Sequence, residues 1–267
     1  MKNIRIDYYT GTGGSQLIAE RLAEKLKAEN NNVVVNRIYR ADIKETRTFD
    51  VDYYILIFPV HSFNPPSTIF EWAKHLTANR CKTAIISVAG AGNALTNTAC
   101  RYKTRKLLKK RGFDVIYQDM VRMPNNWKNV PEKPKYICLL SKLPTKIEKI
   151  AQAIATEKRG RKLIYWIDYL LTPLGRTAQN STHKFGNGIN VLDSCTSCGL
   201  CAKNCCSSNI KMEANLPKFE NRCDMCLGCV YNCPEKALQP TWGAFQVDKK
   251  GYDLRSMLQN LDARKEL

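Results

Sequence analysis

Two runs of four cysteines near the end of the chain restrict what it can fold into more than anything else in it. Cys195, Cys198, Cys201 and Cys205 stand at C-x-x-C-x-x-C-x-x-x-C spacing. Cys223, Cys226, Cys229 and Cys233 repeat that spacing 28 positions later, with Pro234 after the second run. Three thiolates at this pitch can wrap three corners of an iron–sulfur cube, and the fourth lies too far along the chain to close the same cube comfortably. A segment built this way folds around its metal. Zinc also takes C-x-x-C pairs and is the competing metal, although zinc sites rarely carry duplicated four-cysteine runs with a trailing proline. The scattered Cys81, Cys100 and Cys138 are expected to be buried small hydrophobes.

Over residues 193–239 these runs resemble bacterial-type two-[4Fe–4S] ferredoxins. The resemblance implies crossed ligation: one cluster on Cys195, Cys198, Cys201 and Cys233, the other on Cys223, Cys226, Cys229 and Cys205. Gly199 and Gly228 are expected in tight loops where backbone approaches sulfur and amides donate to the cluster. The first run ends Cys205-Cys206 where such ferredoxins have Cys-Pro. Cys206 is read as a spectator in the proline position, with substitution for Cys205 as a ligand, or a free thiol near that second cluster, the other possibilities.

The first 140 or so residues alternate strand and helix. Strands are expected at 4–9, 33–39, 53–60, 83–89 and 113–121, and helices at 15–29, 66–77, 94–111 and 144–158, which implies a parallel sheet with helices on both faces. After the first strand, Thr10-Gly11-Thr12-Gly13-Gly14-Ser15 opens a helix. Glycines let successive N–H groups turn inward, hydroxyls add donors, and the helix N-terminus adds positive potential, which together make a phosphate cradle. No lysine follows, as an ATP-binding loop requires, and Gln16 replaces the third glycine of a dinucleotide loop. Two further loops should converge on it at the carboxyl ends of the strands. One is Pro59-Val60-His61-Ser62-Phe63-Asn64, with Phe63 a stacking candidate for a planar ring, and the other is Ala89-Gly90-Ala91-Gly92-Asn93.

These loops resemble flavodoxin-like FMN domains over about residues 1–150, with Gly14 at a position often held by asparagine. The whole chain, with Met123-Pro124-Asn125-Asn126-Trp127, resembles the EFR family of ferredoxins. The resemblance implies an α/β, flavodoxin-like doubly wound five-stranded parallel sheet of order 2-1-3-4-5 plus a small α+β two-[4Fe–4S] ferredoxin domain. The expected divisions are 1–157 for the FMN-binding domain, 158–190 for a linker with an apolar stretch at 163–171, 191–240 for the ferredoxin-like domain and 241–267 for a tail. The implied cofactors are FMN and two [4Fe–4S] clusters, and the implied function is electron transfer. His61 would sit near the flavin, as a donor to its reduced anion or as a surface histidine; Trp72 and Trp127 are read as packing residues.

The net charge of +18 bears on partners. Two clusters with their thiolates and a flavin phosphate would lower it to about +12. The remaining excess suits redox partner proteins with acidic docking surfaces. The basic runs 101–111 and 158–162 also raise nucleic acid, though no recognised nucleic-acid motif accompanies them. The basic flank of the 163–171 stretch raises contact with an anionic membrane surface. No apolar run approaches the roughly 18 residues of a membrane span, and the start lacks an export-signal layout; a cytoplasmic protein is expected, with reduced thiols. No acid–base pair or nucleophile stands beside the flavin loops, so a carrier is preferred over a flavin-dependent reductase fed by the clusters.

Overall fold

The computed structural model describes residues 1–61, 64–90, 95–127, 130–160, 182–241, 247–248 and 250–263. Seven strands run through the first half: β1 (Asn3–Tyr8), β2 (Asn32–Arg37), β3 (Arg47–Phe49), β4 (Tyr53–Pro59), β5 (Leu76–Ala78), β6 (Cys81–Ala89) and β7 (Phe113–Arg122). Five of them form one parallel sheet of order β2-β1-β4-β6-β7, while the three-residue strands β3 and β5 pair to one side. Counting only the long strands, this is the order 2-1-3-4-5 of flavodoxin-like doubly wound sheets.

The strand period of two divides the apolar side chains between two cores. Tyr53, Ile55 and Ile57 of β4 join Ile4, Ile6 and Tyr8 of β1 on one face, against α1 (Gly14–Ala28) and α5 (Leu143–Ala155). Tyr54, Leu56 and Phe58 point to the other face, against α2 (Ser67–Lys74) and α3 (Leu95–Lys110). A helix α4 (Lys133–Leu140), with a proline in its first turn, precedes α5; no periodicity in the sequence announces it. Cys81 and Cys100 are buried as expected, but Cys138, on α4, is exposed. No helix among the described residues is long and apolar enough to cross a membrane. The apolar stretch 163–171 lies outside the described residues.

The cysteine-rich segment folds as two short antiparallel pairs, β8 (Ile189–Val191) with β11 (Leu238–Pro240) and β9 (Ile210–Glu213) with β10 (Leu216–Phe219). Its own small core holds Phe185, Ile189, Met225, Leu227 and Leu238. The sequence repeat is also a repeat of backbone shape. Ser197 (φ 57°), Gly199 (φ 70°) and Ser208 (φ 52°) are left-handed, and so are their counterparts 28 positions on, Met225 (φ 52°), Leu227 (φ 63°) and Lys236 (φ 49°). The short helices Leu200–Lys203 and Gly228–Tyr231 are spaced the same way. Amide-to-sulfur hydrogen bonds recur too, from Asn209 N to Cys205 Sγ at 3.2 Å and from Ala237 N to Cys233 Sγ at 3.3 Å. Left-handed L-residues cost about 1–2 kcal/mol each; here they turn N–H groups toward sulfur, as anion-binding backbone nests do.

The tail, partly amphipathic in sequence and without recognisable chemistry, has a structural part. Helix Leu254–Asp262 is capped by the Asp253 carboxylate, which accepts from the Arg255 and Ser256 N–H groups. It seats Leu254 and Met257, with Tyr252, in the core that holds α1 and α5.

Candidate functional site

A cavity of about 340 Å³ lies at the carboxyl ends of β1, β4 and β6, a size within the range of small-molecule sites. The three loops singled out in the sequence meet there. Thr10, Gly11, Thr12, Gly14 and Ser15 come from the first, Pro59, Val60 and His61 from the second, and Ala89 and Gly90 from the third. Gly13 and Asn64 are not on the cavity wall. Gly13 instead takes the left-handed turn into α1 (φ 92°), and Asn64 closes a tight turn through paired backbone hydrogen bonds with His61. Ser62, Phe63, Ala91, Gly92 and Asn93 lie outside the described residues. The remaining wall is Val88, the segment from Met123 to Trp127, Tyr252 and Cys226. Trp127, expected to be a packing residue, lines the cavity with its ring tilted over His61 at a centroid distance of 6.4 Å.

The first loop is arranged to hold an anion. Gly13 N–H donates to the Thr10 hydroxyl at 3.0 Å, which folds the loop back on itself. α1 has no side-chain cap and no acidic residue in its first turn, so its leading N–H groups face the cavity end unneutralised. Ser15 Oγ is buried with no hydrogen-bond partner among the described residues; a phosphate oxygen would satisfy it. Where Gly14 replaces the common asparagine, Asn126 Nδ2 reaches the neighbouring Thr12 hydroxyl at 2.9 Å from the other side.

His61 is buried, and burial lowers its pKa against the opposing pull of Asp224. Its Nδ1 lies 2.9 Å from the Asp224 carbonyl oxygen, which can only accept, so Nδ1 carries the proton. In the neutral ring Nε2 is then an acceptor, so this buried side chain is neither the donor nor the surface histidine weighed from the sequence.

The cysteines gather in two sets. Cys195, Cys198, Cys201 and Cys233 line one small cavity, with Met212 and Pro217 over it. Cys205 is instead the neighbour of the second run. Burial pushes the Cys223 thiol up to about 12, with Asp224 and Cys205 adding to it. Burial and then neighbouring thiols, Cys205 among them, hold Cys226 and Cys229 well above the usual range. Four thiolates crowded this way need a positively charged core to become stable together, which fits an iron–sulfur cluster. None of the cysteines is in a disulfide. Among the described residues no group of three or more His, Cys, Asp or Glu side chains is placed to hold a metal ion.

The second cysteine run is pressed against the glycine loop with no side chain between them. A Cβ on Gly11 would stand 2.5 Å from the Cys226 carbonyl oxygen, and one on Gly228 would stand 2.7 Å from the Gly11 carbonyl oxygen. Gly228 thus serves this approach while its N–H donates to Cys226 as expected; the left-handed residue beside it is Leu227. Cys206 also belongs to this seam. Its thiol donates to the Thr10 carbonyl at 3.2 Å and accepts from Arg37 Nε and Nη2 at 3.4 and 3.3 Å.

Asp224 fastens the seam. The N-cap of α2 is Pro66, which offers no side-chain cap, and the Asp224 carboxylate takes its place from 157 positions away. It accepts from Ser67 N and Oγ at 2.8 and 2.6 Å and from Thr68 N and Oγ1 at 3.4 and 2.6 Å. Removing a helix cap costs about 0.5–2 kcal/mol, and each kcal/mol is about 2–4 °C in a chain of this size. Asp224→Ala is expected to lower the thermal midpoint by several degrees, with Asp224→Asn in between. A D224A midpoint equal to the parent's would show that the carboxylate clamps nothing.

No family model matches the sequence, and no curated protein matches it. Among solved structures the chain is similar to oxidised Flavodoxin 2 from Bacillus cereus, at 15% identity and TM-score 0.42, over 58% of this chain and 99% of that one. It is also similar to a WrbA-like flavodoxin from Agrobacterium tumefaciens, at 12% identity and TM-score 0.39, over 59% and 100%. A third likeness is to rubredoxin oxygen:oxidoreductase from Desulfovibrio gigas, at 19% identity and TM-score 0.33, over 58% of this chain and 36% of that one.

Proposed function

We propose that this chain is an electron-transfer iron–sulfur flavoprotein of the EFR type. FMN occupies the cavity at the strand ends, and two [4Fe–4S] clusters occupy the two cysteine sets. Residues 1–157, with Tyr252 and the helix Leu254–Asp262 packed into their core, form the FMN-binding domain, and 191–240 form the ferredoxin-like domain, which also takes Phe185 and Ile189 from the end of the expected 158–190 linker into its core. The observation that carries this reading is that Cys226, one of the cysteines of the second set, is itself part of the cavity wall. A flavin-sized cavity and a thiolate cage thus share a residue.

FMN supplies exchange of one or two electrons, and the clusters supply exchange of one each. The residues of the chain do the positioning. The open N-terminus of α1 and Ser15 Oγ receive the phosphate. Trp127 and Tyr252 wall the cavity and exclude water, and Gly11 and Gly228 bring its floor against the second cysteine run. The Cys195 set lines a separate small cavity, with Cys198 exposed, and is the set open to outside redox partners. The net charge of +18 favours partners with acidic surfaces.

Anaerobically purified protein is expected to contain about eight iron and eight acid-labile sulfide ions and one FMN per chain, and reducing the clusters should reduce the flavin. Zinc without acid-labile sulfide would overturn the metal half of this reading. Full iron with no extractable flavin would overturn the FMN half.

A further inference from the structure

Tyr9 ends in a hydroxyl that the protein buries and leaves without a partner. The residue is fully buried, and its Oη finds no hydrogen bond among the described residues. Leaving a buried hydroxyl unsatisfied is costly, so the position calls for an acceptor. Tyr54, in the same core, shows the contrast: its hydroxyl donates to Asp7 at 3.1 Å and accepts from Trp72 Nε1 at 3.2 Å.

The surroundings of the Tyr9 hydroxyl narrow the choice of acceptor. Burial raises its pKa well above the ordinary value, followed by the charges of Asp224, Cys226, Cys206 and Cys205. Two of these four are committed elsewhere. The Asp224 carboxylate is spent on Ser67 and Thr68, and the Cys206 sulfur is engaged with Thr10 and Arg37. Cys205 Sγ accepts from Asn209 N, and Cys226 packs against the core that holds Tyr9; both belong to the cavity-side cysteine set, whose cluster would bring further sulfur acceptors. His61, whose ring meets Tyr9 edge-on at 6.4 Å, has its Nδ1–H on Asp224, and its Nε2, though an acceptor, receives no bond from the Tyr9 hydroxyl.

We infer that the Tyr9 hydroxyl donates a hydrogen bond to the sulfur of the cavity-side cluster and raises its reduction potential. The inference rests on the cluster assignment above. Reduction adds one electron to the cluster, the hydroxyl keeps its proton, and a donor to sulfur stabilises the more negative state. Tyr9 would thereby set the driving force between that cluster and the flavin without touching substrate or partner.

The test uses the full chain, prepared anaerobically, as parent and as Tyr9→Phe. Iron, sulfide and FMN contents are measured first; if the parent lacks sulfide, the cluster assignment fails, and the tyrosine inference falls with it. With the contents intact, potentiometric titration followed by electron paramagnetic resonance reads each cluster. The expected result in Y9F is a fall of about tenfold in the reduced-to-oxidised ratio of the cavity-side cluster at a fixed applied potential, equal to about 59 mV for a one-electron couple. The outer cluster should not move. An unchanged potential at full cluster content overturns the inference, because the hydroxyl would then be satisfied by something other than the cluster. Should Y9F lose its cluster, 3-fluorotyrosine at position 9 keeps ring and hydroxyl and donates more strongly. It should shift the same potential upward, and no shift there is equally fatal.

Discussion

A Gly11→Ala protein is expected to bind FMN about tenfold to hundredfold more weakly and to pass electrons more slowly between flavin and the cavity-side cluster. The new methyl would sit 2.5 Å from the Cys226 carbonyl oxygen, 2.6 Å from its Cβ and 3.0 Å from its Sγ. Two of these are closer than carbon tolerates, and the first atom met is backbone, which cannot rotate away. Overpacking of this kind costs about 1–3 kcal/mol, and each 1.4 kcal/mol is tenfold in affinity. Relief can come only by lifting the cysteine run off the loop or by pushing the loop into the cavity. The first lengthens the path to the cluster and the second deforms the phosphate cradle. Gly228→Ala, whose Cβ would stand 2.7 Å from the Gly11 carbonyl oxygen, should act the same way from the opposite side. Gly199→Ala is the control. It has open space around its Cβ but a left-handed backbone at φ 70°, so it should cost about 1–2 kcal/mol of stability and leave FMN affinity alone. Flavin fluorescence titration and stopped-flow reduction measure both effects. Parent-like values in G11A and G228A would mean that the close approach has no functional weight.

Much of the α/β half was legible because its strands are long, apolar and bounded by glycine or proline. Tyr53–Pro59 can only be a strand buried on both faces, and three such runs separated by helices leave few topologies. The strands β3 and β5 escaped because three residues carry no period. α4 escaped because two prolines and several lysines mask its apolar face. The cavity was legible only where it is built from strand ends. Tyr252 reaches it from the tail, and no local pattern encodes its hydrogen bond to the Pro124 carbonyl. The Asp224 clamp was illegible for the same reason, although half of the signal was present: α2 begins after Pro66 with no cap of its own, so a distant group had to supply one. Gly228 was noticed for its amide, which does donate to Cys226, but not for its missing side chain. Its counterpart in the first run is Leu200, an exposed helix residue, and that break in the repeat marks where the second run alone touches the glycine loop.

The crossed pairing of the two runs makes the most severe prediction. Cys233 lies next to the second run in sequence but lines the cavity of Cys195, Cys198 and Cys201. Cys205 lies next to the first run but is the charged neighbour of Cys226 and Cys229. Cys233→Ser should therefore remove the outer cluster, lowering iron from about eight to about four per chain, and leave the cavity-side cluster in exchange with the flavin. Cys205→Ser should remove the cavity-side cluster at the same loss of iron and isolate the flavin from the one that remains. The two proteins would then have similar iron contents and opposite behaviour: in C233S, reducing the remaining cluster reduces the flavin, whereas in C205S it does not. Neighbouring Cys206 is not free to restore the C205S site, because its thiol is held by Thr10 and Arg37. If the four cysteines of each run instead served one cluster, the phenotypes would exchange, with C233S losing flavin coupling and C205S keeping it. Iron analysis and anaerobic reduction of these two variants thus separate crossed from local ligation without a further structure.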